Sequence, residues 1–169
     1  MIPQTINKCN LFVDGNSFAG IAKEITLPKV MIKTEDFQGA GMLAPAELEA
    51  GLDKLEMAVV FQEYNLEILR QFGTFSPEGA LLRWRGAAQR EGDDTQVDAV
   101  EITTRGRLKE LDFGSSKQGE NNSLSVTYPL TYFKYDLNGE TIIEIDIVNM
   151  IFVVDGEDRY AAIRTALGI

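Results

Sequence analysis

Two carboxylates, Glu144 and Asp146, stand two residues apart in "ETIIEIDIVN". In a strand that spacing puts both on one face, and paired carboxylates are the raw material of acid–base catalysis. A basic row, Arg105, Arg107 and Lys109, has the same period. Each row also reads as a solvated strand face, and complementary rows could meet across subunits or face a wet lumen, so neither is assigned a catalytic role. The 169 residues include no His, which removes the commonest general base and metal ligand together. The single Cys9 has neither a His to activate it nor a second Cys for zinc or a disulfide.

Three shorter motifs fail on context. "GAGMLA" (39–44) matches a dinucleotide fingerprint in outline. It follows a charged segment, runs straight into Pro45 and lies in no βαβ unit. "EGDDTQVDAVE" (91–101) clusters carboxylates without the spacing or central Gly of a calcium loop and is expected to be a hairpin tip. "NNS" (121–123) matches a glycosylation acceptor, which counts for little without a signal peptide. No catalytic residue, cofactor or metal is expected, and the chain does not read as an enzyme.

The elements that must carry these residues are mostly strands. "KLEMAVVF" puts Leu55, Met57, Val59 and Phe61 on one face, and "LLRWRGAAQ" does so with Leu82, Trp84, Gly86 and Ala88. From 100 to 109, Val100, Ile102, Thr104, Gly106 and Leu108 alternate with charged or polar partners. "SLSVTYPLTYFKY" places Leu124, Val126, Tyr128, Leu130 and Tyr132 together, with Pro129 interrupting the donor row. Asn138-Gly139 then signals a tight hairpin to the strand bearing Ile143, Ile145 and Ile147, and Asp14-Gly15-Asn16 signals another turn near the start. Two helices are expected. One has Tyr64, Ile68, Leu69 and Phe72 on a stripe before Gly73; the other has Tyr160, Ile163 and Leu167 covering the sheet before Gly168. The pattern predicts a mainly β fold: an antiparallel sandwich or barrel with one or two short flanking helices, in a single domain spanning 1–169.

Net charge is −10, from 26 acidic and 16 basic residues, which disfavours a basic nucleic-acid-binding patch. The start, "MIPQTINKCNLF", does not read as a signal peptide, and no apolar run reaches the length of a membrane span. A lone Cys fits an origin in a reducing compartment. Between two strand-like stretches, residues 37–53 read "FQGAGMLAPAELEAGLD", too broken by Gly for a helix and too poor in β-branched residues for a strand. Long loops in compact domains usually serve a function.

Taken in order, "NLFVDGNSFAG", "ITLPKVMIKTEDFQGAGM", "GLDKLEM", "VEITTRGRLKELDFGSSKQGE", "YFKYDLNGETIIEIDIVN" and "VVDGEDRYAAIRTALGI" resemble the major tail tube protein of P2-type contractile-tailed bacteriophages and the related tube protein of R-type pyocins. The resemblance runs nearly end to end. It implies a fold shared with the type VI secretion tube and hexameric rings stacked head to tail into a hollow tube. It also implies a contractile sheath around the tube, baseplate and tail terminator proteins at its ends, and DNA as passive cargo if the particle is a phage. The particle would be a virion tail or an extracellular phage-tail-like assembly, built in the host bacterial cytoplasm. Under this reading residues 37–53 are an assembly loop: Gly39 and Gly41 let it leave the body, and Met42, Leu43, Pro45 and Leu48 offer contacts to a neighbour. Asp155, Glu157 and Asp158 are candidates for a sheath contact, and the acidic surplus could line a lumen that repels DNA. The competing readings are a monomeric β-barrel that binds a small ligand under the loop as a lid, and a carboxylate hydrolase.

Overall fold

The computed structural model describes residues 2–92 and 95–169. Asp93 and Asp94, in the carboxylate-rich stretch expected to be a hairpin tip, lie outside them. The described strands run β1 (Gln4–Val13), β2 (Asn16–Ser17), β3 (Ala22–Thr26), β4 (Ile32–Phe37), β5 (Ala46–Leu52), β6 (Leu55–Phe61), β7 (Ala80–Arg90), β8 (Val97–Gly106), β9 (Glu110–Asp112), β10 (Leu124–Leu137), β11 (Glu140–Asp146), β12 (Ile151–Val154) and β13 (Glu157–Asp158). Two short helices join them, α1 (Leu66–Arg70) and α2 (Ala161–Leu167). Eleven strands form one antiparallel sheet along the path β13-β12-β11-β10-β8-β7-β1-β2, with β6 and β9 on the other half of β10 and β3 beyond β6. β4 and β5 pair only with each other.

The 14-residue β10 organises the body. Its first half pairs with β6 and β9, its second half with β8 and β11. The sheet folds over on itself, because Thr104 Oγ1 on β8 lies 3.7 Å from Met57 Sδ on β6, two strands that are not neighbours. Between the layers sit the predicted alternations: Leu55, Met57, Val59 and Phe61 from β6, Leu82 and Trp84 from β7, and Leu124, Val126, Tyr128 and Leu130 from β10, all buried. The Tyr128 hydroxyl, carried into this core, donates to Gln71 Oε1 at 3.0 Å, and burial raises its phenol far above the ordinary value.

One predicted alternation breaks. Register slips between Leu130 and Tyr132 against β8, a bulge that shifts the inward phase by one residue. Phe133 is buried instead of Tyr132, and Tyr132 joins the polar face. At the same place Gly106 approaches so closely that a Cβ there would sit 2.3 Å from the Pro129 carbonyl oxygen. The turns hold as read: Asp14-Gly15 and Asn138-Gly139 both take positive φ at both residues, as does Asp155-Gly156, the form that suits a two-residue hairpin. Helix α1 is capped by the Asn65 side chain and buries Ile68, while Tyr64 and Phe72 stay exposed.

The C-terminal helix differs from expectation. None of its residues is buried; Ile163 and Leu167 are exposed rather than laid over the sheet. Its tether is polar: Arg164 donates to the Met150 carbonyl at 2.8 Å and pairs with Asp158.

Candidate assembly surface

Residues 37–53 are not a loose loop. Ala46–Leu52 forms β5 and pairs antiparallel with β4, from Ile32↔Leu52 to Phe37↔Ala46. Backbone pairing and the solvated charges of this segment overrode its poor strand propensity, which depends on context. The result is a two-stranded arm. Its base closes where Asp53 N donates to the Met31 carbonyl at 2.8 Å, and a register slip between Ile32 and Thr34 bends it there. At its tip the Gly39 carbonyl accepts from Met42 N, the Gly39 N–H points at Met42 Sδ, and Gly41 takes φ +88. Gly41 thus serves a closed turn. Leu43, next along, is 104% exposed relative to its reference state.

The arm is amphipathic. Phe37 and Ala46 face each other across the pair, and so do Glu35 and Leu48 two residues closer to the base. Over 34–37 and 46–49, Phe37, Ala46 and Leu48 therefore share one face, with Glu35 as its single charge, and Asp36, Thr34, Glu47 and Glu49 share the other. Glu49 turns toward the body, 3.5 Å from the Tyr160 hydroxyl. The apolar face, with Phe37 and Leu48 each about half exposed, therefore points away from that contact. Phe37 belongs with the predicted contact residues Met42, Leu43 and Leu48. It becomes visible in sequence only once the β4–β5 register is known. The arm projects from the body rather than closing over it as a lid.

The predicted charged rows separate. Strand pairing aligns Leu81, Arg105, Tyr132 and Asp146 in one rung, Arg83, Thr103, Lys134 and Glu144 in the next, and Arg85, Glu101 and Asp136 in a third. Arg105, Glu144 and Asp146 thus share one polar sheet face. Arg107 and Lys109 do not, because β8 ends at Gly106; Lys109 pairs with Glu56 at 3.4 Å. On the shared face, Arg83, Arg85, Arg105 and Lys134 balance Glu101, Asp136, Glu144 and Asp146, four against four. Arg85 pairs with Glu101 at 2.8 Å and stands 5.8 Å over the Phe12 ring, and Lys134 meets Asp136 at 3.2 Å. Arg83 Nε sits 3.3 Å from Glu101 Oε1 without hydrogen-bond geometry.

Glu144 and Asp146 do not form an acid–base pair. Glu144 accepts from the Tyr132 hydroxyl at 3.1 Å. Burial first, and then the Glu144 carboxylate, push that phenol up to about 12. Asp146 closes the following turn by accepting from Asn149 N at 3.0 Å and Asn149 Nδ2 at 2.7 Å. Among the described residues no cluster of His, Cys, Asp and Glu could hold a metal, and no helix is long and apolar enough to cross a membrane. Of the three acidic residues at 155–158, Asp155 makes a turn, Glu157 pairs with Arg159, and Asp158 is taken up by Arg164. Arg164 donates to the Asp158 carboxyl and holds it below the usual carboxylate range.

The arm and the exposed apolar side chains mark surfaces suited to contact with other proteins. The family model "Phage tail tube protein FII" matches residues 3–168. The chain belongs to this family. The tail tube protein of Escherichia phage P2 is 34% identical over 99% of both chains, and the major tail tube protein of Serratia phage KSP20 is 33% identical over 99% of this chain and 98% of its own. A chain in the cryo-EM structure of the anti-feeding prophage baseplate superposes with a TM-score of 0.48 at 13% identity, covering 76% of this chain and 89% of that one. As a member of the tail tube family the protein is a structural subunit of a phage tail and not an enzyme.

Proposed function

We propose that the chain, as one tail tube domain over 1–169, closes into six-membered rings that stack head to tail into a hollow tube. A contractile sheath surrounds the tube, and its contraction drives the tube through the target envelope. Baseplate and tail terminator proteins hold its ends. Subunits are made and assembled in the host cytoplasm, and the finished tube belongs to a virion tail or a phage-tail-like particle. DNA is passive cargo in a phage. The observation that carries this reading is the arm: its apolar face and tip lie uncovered in a single copy, which a stable monomer rarely tolerates. Surfaces that differ at the two ends of a contact propagate rather than close in pairs.

In this arrangement the balanced face of β7, β8, β10 and β11 is the wall of the bore. Its four cations and four anions make it near neutral, so smooth passage of DNA would come from a balance of opposite charges rather than from an acidic lining. Asp155 and Glu157, still exposed, are the acidic residues left for a basic sheath surface. The test is negative-stain microscopy with sedimentation velocity on the purified protein. Rings or hollow tubes are expected, and a species that stays monomeric at high concentration refutes the assembly.

A further inference from the structure

At the base of the arm β6 and β11 both run along β10 but diverge from each other, and the divergence leaves an open groove of about 510 Å³. Its floor is apolar: Leu52, Leu55, Leu130, Ile145, Ile151 and Phe152. Leu55, Leu130 and Ile145 there are core residues, so the groove opens directly onto the packed interior. Exposed Ile147 stands on its lip. The charges at its rim are partly paired with one another, Lys54 with Glu56 at 3.4 Å and Glu56 in turn with Lys109. An apolar cavity of roughly 150 Å³ holds a benzene-sized group; this groove has room for about three such side chains.

We propose that the tip of the arm, residues 42–45, seats in this groove on a second copy of the chain. The proposal rests on the tube reading above and names the surface that receives the arm. Three features select this occupant. Residues 37–46, "FQGAGMLAPA", carry no charge, so they bring no ion to desolvate against an apolar floor. Met42, Leu43 and Pro45 match the groove in number and character. The groove cannot take its own arm: Gly51, Leu52 and Asp53 at the arm's root line it, and five strand steps from Ile32 to Phe37 carry the tip roughly 16 Å or more away. Tip and groove are therefore met only between copies. Because they are different surfaces, each copy gives its tip to one neighbour and its groove to another, which yields a directional chain of contacts.

The test uses cysteine pairs in a Cys9→Ser background. Leu43→Cys with Ile147→Cys should give tubes that, once oxidised, run as a covalent ladder on a non-reducing gel. Leu43→Cys with Phe75→Cys, an exposed site outside the groove, should stay a single band. Tubes of normal form with no ladder from the first pair, or an equal ladder from the second, overturn the docking and leave the tube reading standing. A parent protein that never assembles overturns both. Separately, Leu43→Asp and Ile147→Asp should each melt like the parent as dilute monomers yet fail to form tubes; normal assembly by either one refutes the seat.

Discussion

Leu43→Ala separates an assembly residue from a folding residue most cleanly. The Leu43 side chain is fully exposed in the single copy, so truncating it should change monomer stability by no more than about 0.5 kcal/mol. Under the proposed docking the same side chain is buried against a neighbour. The substitution removes three carbons, which at about 0.8 kcal/mol per buried carbon amounts to roughly 2.4 kcal/mol per contact. At about 1.4 kcal/mol per tenfold, the critical concentration for assembly rises roughly 50-fold. Light scattering or pelleting across a dilution series measures that concentration, and a thermal melt of dilute protein measures monomer stability. Leu82→Ala is the contrasting variant: its side chain is fully buried between the layers, so it should cost about 2–5 kcal/mol of folding stability. An unchanged critical concentration for Leu43→Ala refutes the reasoning. So does a melting shift as large as that of Leu82→Ala, since the tip would then be packed on its own body.

Gly106→Ala should destabilise the fold by about 1–3 kcal/mol, because its Cβ meets the Pro129 backbone and not a side chain that can swing away; a lower urea midpoint with unchanged slope is the readout. Tyr132 has a folded-state phenol raised to about 12 from an ordinary value of 10.0. The unfolded chain therefore loses this proton first, so the contribution is present below about pH 10 and lost as pH rises toward 12. Tyr132→Phe should show a shallower loss of stability across that window, and phenolate absorbance should show one fewer late-titrating tyrosine. Arg164→Ala should release α2, whose tether is the Asp158 pair and the Met150 carbonyl. Amide exchange should speed up across 161–167 while the amides of β6 and β10 keep their protection. Asp158 is held below its usual value chiefly by the hydrogen bond from Arg164. In the parent, acid should loosen the same helix, as the contribution present at neutral pH is lost when pH falls through the lowered pKa.

The sequence by itself determined the core strands β6, β7 and the first half of β10, their inward residues, and two hairpin turns. Leu55 through Phe61, Leu82 through Ala88 and Leu124 through Leu130 alternate because successive side chains in a strand point oppositely. Asp14-Gly15 and Asn138-Gly139 turn because those residue types accept positive φ. These are local rules, and a run of ten residues contains all that they need. The ordered resemblance of six segments was also legible and pointed to the tail tube family. The switch of phase at Thr131 was not legible, because it arises where one strand changes partners from β6 to β8, and nothing within β10 alone records its neighbours. Residues 37–53 read as a loop for the same reason: β5 is a strand by virtue of β4, not of its own composition. The exposed stripe of α2 and the groove at the arm's root depend on how the sheet folds over at β10. Only the tertiary structure decided those, because burial is a property of what comes to lie opposite a residue, and in this chain that is set by strands far apart in sequence.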